Sequence, residues 1–116
     1  MRAILDTNVV ASAIYFGGVP ARVLNAWSAG RFELVVSPPI LDEYQEVCER
    51  MQAASPLTSF APVLALIRAH ATIVVAEPQN FPVSRDPDDN MFIQCAAAFA
   101  PPRPAIITGD KDLLVL

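Results

Sequence analysis

At 116 residues the chain has the usual size of one globular domain, so a single domain over 1–116 is expected. Apolar residues make up 53% and charged residues 17%, which excludes intrinsic disorder and leaves ample material for a core. The formal net charge of -4 excludes recognition of a polyanion by a broadly basic surface, so such a ligand would need a metal ion or a local patch.

Short runs rich in β-branched residues alternate with stretches of helical period, the pattern of a parallel sheet with crossover helices, and the fold class is α/β. Ala3-Ile4-Leu5 predicts the first strand. Ala11 to Tyr15 follows as a short helix, Gly17-Gly18 breaks it, and Pro20 opens a second helix carrying Val23, Leu24 and Trp27 that Gly30 closes. Glu33 to Val36 is the second strand. Ser37 is a natural N-cap and Pro38 suits the first turn of a third helix, whose Ile40, Leu41, Tyr44, Val47, Cys48 and Met51 form one apolar stripe. A fourth helix runs from about Phe60 to Ala69 with Pro62 in its first turn, and Thr72 to Val75 is the third strand. Asp86-Pro87 repeats the cap-then-proline signal before a fifth helix striped by Met91, Phe92, Cys95, Ala96 and Phe99, which Pro101, Pro102 and Pro104 stop. Ala105 to Thr108 is the fourth strand. Cys48 and Cys95 lie on apolar stripes and are read as reduced and buried. Asp6 interrupts the apolar start and no run reaches the roughly eighteen residues that cross a bilayer, so no membrane span or signal peptide is expected and the compartment is read as the cytoplasm.

The chemistry falls to the acids. Asp6 ends the first strand and Asp110 follows the fourth, so both stand at carboxyl ends of parallel strands, the edge where open α/β sheets bind ligands. Either alone reads first as a cap or turn former, and it is the pair at equivalent strand ends that points to a site. On the third helix Glu43 lies beside the apolar stripe, whereas Asp42 and Glu46 fall towards the opposite side. Arg85-Asp86-Pro87-Asp88-Asp89-Asn90 gathers three acids at a helix start; capping accounts for one or two, and a bound cation would relieve the repulsion of a third. Such an oxygen-only set selects Mg²⁺ or Mn²⁺. His70, late in a helix, reads as solvated, and the cysteines lack metal-ligand spacing, so a zinc site is excluded.

Leu5-Asp6-Thr7-Asn8, Ser37 with Glu43, Arg85-Asp86-Pro87-Asp88-Asp89, and Thr108-Gly109-Asp110-Lys111-Asp112 together resemble the PIN-domain nucleases over essentially the whole chain, and most of all the VapC-like toxin components of bacterial toxin-antitoxin pairs. The resemblance implies a three-layer α/β/α fold with a central parallel sheet and a Mg²⁺- or Mn²⁺-dependent endoribonuclease with an RNA substrate. It further implies a homodimer and inhibition by a cognate antitoxin. By the same resemblance the family's acids fall on Asp6, Glu43, Asp89 and Asp110. Asp88 is the next candidate for the third position, Asp86 serves better as the cap, and Asn90 stands where related subgroups carry the acid. Asn8 and Asp112 are candidate helpers of the site, and Arg85, Arg103 and Arg2 candidate phosphate contacts. Relative to the family the chain stops at Leu113-Leu114-Val115-Leu116, so a C-terminal edge strand is expected to be missing. The other class of function these residues allow is a PIN-like domain that binds RNA or a partner without cutting, its acids serving as caps and turns.

Overall fold

β1, Arg2–Leu5, carries Ala3, Ile4 and Leu5 fully buried, as a strand covered on both faces by helices must. The computed structural model describes residues 1–75, 87–108 and 113–115, with side chains left aside at 87–90 and 113–115. Among these residues the order after β1 is α1 (Thr7–Tyr15), α2 (Gly18–Ser28), β2 (Glu33–Val36), α3 (Pro38–Ala54), α4 (Ala61–His70), β3 (Thr72–Ile73), α5 (Pro87–Ala97), β4 (Ala105–Ile107) and β5 (Leu113–Val115).

The strands lie in the order β3-β2-β1-β4-β5, and β1 to β4 are mutually parallel. From β1 the chain steps outward through β2 to β3, then returns past β1 to β4. Right-handed crossovers therefore put α1 to α4 on one face and α5 on the other, the expected three layers. They also align the carboxyl ends of the four parallel strands along one edge, with β1 and β4 flanking the point where the winding reverses. The core joins the sheet residues Ile4, Leu5, Leu34, Val35, Val36 and Ile106 to Val10, Trp27, Ile40, Tyr44, Ile67 and Phe92 from the helices. Trp27 is buried within the chain's own core. Among the described residues no single helix is long and apolar enough to cross a membrane.

Several boundaries differ from the sequence reading. α1 begins at Thr7 rather than Ala11, because the Asp6 carbonyl accepts the Val9 and Val10 amides at 3.0 and 3.4 Å immediately after the strand. Gly17 and Gly18 both take positive φ, 71° and 66°, and turn the axis of α2 through 102° from that of α1. β3 is shorter than expected, although the Val74 amide still reaches the Val36 carbonyl at 2.9 Å. The sequence reading ends the sheet at β4, with an edge strand missing beyond it. Leu113–Val115 adds β5, antiparallel to β4 with Ile107 opposite Leu113 and Ala105 opposite Val115, so β4 is paired on both sides. Three apolar residues carry too little periodicity to announce a strand.

Candidate active site

Asp6 leaves β1 at its carboxyl end and takes the N-cap position of α1, with φ -57° and ψ 148°. Its backbone is held from two sides: the amide donates to the Ile107 carbonyl on β4 at 2.8 Å, and the carbonyl opens α1. The carboxylate makes no side-chain cap hydrogen bond to the helix. Capping, the structural role an aspartate here would ordinarily fill, therefore does not account for this acid.

Glu43 reaches the same place from α3. The buried Thr7, next in sequence to Asp6, donates its hydroxyl to Glu43 Oε2, so the third helix's glutamate is bonded to the turn that leaves β1. Asp42 and Glu46 are exposed, as the helical angle requires. Tyr44, the residue after Glu43, is fully buried and donates its hydroxyl to the Leu5 carbonyl at 2.6 Å. Burial, with the charges of Cys95, Asp6 and Glu43 added, pushes the Tyr44 phenol well above its ordinary value, so it remains a donor at physiological pH. Two carboxylates from different elements thus act on one buried hydroxyl.

Behind this pair, burial pushes the Cys95 thiol on α5 up to about 12, with a hydrogen bond to Ser37 pulling the other way. Ser37 holds the N-cap position of α3 as expected, yet makes no side-chain cap bond there; its hydroxyl serves the contact with α5 instead. Both cysteines are free and buried, and His70 is exposed in the last turn of α4.

Asp89, Asp88 and Asn90 lie in the first turn of α5, with their side chains outside the described set, while Arg85, Asp86, Asp110 and Asp112 lie outside the described residues. Among the described residues no group of three His, Cys, Asp or Glu side chains could hold a metal ion; Glu43 is bonded to Thr7, the residue after Asp6. Both acids offer carboxylate oxygens, hard ligands of the kind that suit Mg²⁺ or Mn²⁺. Arg2 and Arg103 stand at or before the amino ends of β1 and β4, away from this edge. Arg2 is moreover engaged by Glu33 at 3.1 Å and lies 4.8 Å over the Phe99 ring. Sequence reasoning missed Thr7 and the polar role of Tyr44; the available signal was a phenol in a stripe otherwise free of polar atoms, since a buried tyrosine hydroxyl needs a partner.

A mainly parallel sheet wound about β1, with Asp6 at the carboxyl end of that central strand and Glu43 bonded to the next residue, defines the protein as an α/β domain with acids at its ligand-binding edge. The chain belongs to the PIN-domain family, which it matches over residues 2–112. PIN domains are generally nucleases and act on nucleic acids. An uncharacterized protein of Methanocaldococcus jannaschii is 34% identical over 119 aligned residues, covering 100% of this chain and 75% of that protein. No solved structure matches the chain.

Proposed function

We propose that the chain is a single-domain, divalent-metal-dependent endoribonuclease, the toxin of a toxin-antitoxin pair, acting as a homodimer in the cytoplasm. The observation that carries this reading is the Thr7–Glu43 hydrogen bond, which ties the glutamate of α3 to the residue after Asp6 at the end of β1. Asp6, Glu43, Asp89 and Asp110 are the proposed holders of Mg²⁺ or Mn²⁺. Bound there, the ion would supply positive charge that offsets the negative charge of the phosphodiester and would favour attack by water. The chain's own part is to hold its acids ionised and oriented. Thr7 fixes the rotamer of Glu43, and the two backbone bonds of Asp6 fix the turn that carries its carboxylate.

The partner part of the reading is supported by exposed Phe16 and Val19 at the α1–α2 corner. Nearby, a groove of about 190 Å³ is lined by Ile14, Leu24, Trp27, Val63 and Leu66. Apolar surface of this kind suits a protein partner, here the cognate antitoxin.

Purified protein incubated with mixed-sequence RNA is expected to cut it with Mg²⁺ or Mn²⁺ and to stop in chelator. Cleavage at full rate in chelator would overturn the metal dependence, and RNA bound but uncut with every ion would favour the non-cutting alternative. Light scattering at micromolar concentration is expected to give twice 12.5 kDa, and a clean monomer removes the dimer.

A further inference from the structure

Two phenols tie other elements to α3. Tyr15 of α1 donates to the Cys48 carbonyl at 3.0 Å, midway along α3, and Tyr44 of α3 donates to the Leu5 carbonyl at 2.6 Å. The second bond sits where the sheet hands over to the site. The N–H and C=O of one strand residue point the same way and alternate from residue to residue. Since the Asp6 amide points to β4, the Leu5 carbonyl points to the β2 side. The register with β2 covers Arg2 with Glu33 and Ala3 with Leu34. One rung further on, the Leu5 carbonyl meets the Tyr44 hydroxyl.

A phenylalanine would fill the same fully buried volume, and an unbonded hydroxyl there is costly, so the bond is what the oxygen adds. It joins the residue before Asp6 to the residue after Glu43. We propose that Tyr44 is a positioning residue for the acidic site: its hydroxyl clamps α3 to the exit of β1 and sets the separation of the Asp6 and Glu43 carboxylates. The inference rests on the metal-dependent nuclease reading. The Thr7 bond to Glu43 orients one carboxylate, whereas the Tyr44 bond fixes the helix that carries it. Displacement of about 1 Å in such a constellation is enough to cost up to a hundredfold in rate.

The test compares Tyr44→Phe with Tyr15→Phe, a matched loss of a phenol bond to α3 away from the acids. Mn²⁺ affinity is measured by isothermal titration without RNA, and kcat and KM are measured on RNA. Tyr44→Phe is expected to bind Mn²⁺ about tenfold more weakly and to lose about tenfold in kcat, the worth of one hydrogen bond, at little changed KM. Its metal-free unfolding is expected to stay cooperative, and Tyr15→Phe to match the parent in affinity and kcat. Equal affinity and kcat in Tyr44→Phe and parent overturns the proposal, as does an equal loss in Tyr15→Phe. If Tyr44→Phe is unfolded in plain buffer, the comparison is made in trimethylamine oxide, which favours the folded state. Failure to fold there too overturns the proposal, since the phenol is then structural. A parent that neither binds Mn²⁺ nor cuts overturns the functional reading and this inference with it, whereas an active parent beside an unaltered Tyr44→Phe removes this inference alone.

Discussion

Thr7 has one hydroxyl proton, and Glu43 receives it. Thr7→Val keeps the buried volume and removes the donor, so cleavage is expected to fall about tenfold, while Thr7→Ser retains most of it. A Thr7→Val enzyme as active as the parent would mean that the bond does not orient Glu43. At the opposite edge of the sheet, Glu33 accepts from Thr72 at 2.5 Å and from Arg2 at 3.1 Å, and these two bonds, the Thr72 bond foremost, hold its carboxyl below the ordinary range. A depressed carboxyl stabilises the fold above its unfolded pKa, and that contribution disappears as pH falls through the folded value. The side chain is nearly half exposed and solvent screens it, so Glu33→Gln is expected to lower the melting temperature at pH 7 by only about 2 °C. Melting curves from pH 7 down should show the gap closing below about pH 4, and a gap that widens there would contradict the assignment.

At the scale of elements, α2 ends in a bonded turn: the Arg31 amide reaches the Ala26 carbonyl at 3.0 Å and the Gly30 amide reaches Trp27 at 2.9 Å, with Gly30 at φ 80°. A Cβ on Gly30 would meet nothing within 4 Å, so the cost of Gly30→Ala is purely conformational, about 1 kcal/mol, with Gly30→Asn costing less. Denaturant unfolding of the two variants checks the order, and Ala more stable than Asn would refute it. This helix end was legible because glycine announces it, and Pro38 and Pro62 marked the starts of α3 and α4 just as plainly. The start of α1 was not, because Thr7, Val9 and Val10 are β-branched and read as poor helix formers, and only the Asp6 carbonyl decides otherwise. Ser37 holds the cap position that Pro38 after it announces, but its hydroxyl is used across the fold at Cys95, a long-range choice that local spacing does not contain. Of the proposed site, the places of Asp6 after β1 and of Glu43 beside the buried stripe of α3 were readable from a strand end and a helical angle. The bonds through Thr7 and Tyr44 that bring them together link residues 36 and 39 positions apart and left no local pattern.

For the whole molecule, a net charge of -4 and acids gathered at one edge make metal binding and folding a single linked equilibrium on the proposed reading. An ion that binds only the folded chain stabilises it by about 2.7 kcal/mol at a hundredfold excess over Kd. In a chain of 116 residues this corresponds to a rise of about 10 °C in melting temperature. Asp6→Asn removes one of the proposed ligands' charges with little change of volume. If the acids converge as proposed, the metal-free variant is relieved of like-charge repulsion and is expected to melt at the parent's temperature or above it. Its rise on adding Mn²⁺ is expected to shrink, and its cleavage to fall by at least about 100-fold, the scale of a lost electrostatic contribution to the transition state. Calorimetry and cleavage on the same preparation, each with and without chelator, separate the outcomes. A metal-free melting point well below the parent's would make Asp6 a structural residue of the β1–α1 turn, whereas an undiminished Mn²⁺ response with cleavage intact would remove it from the site.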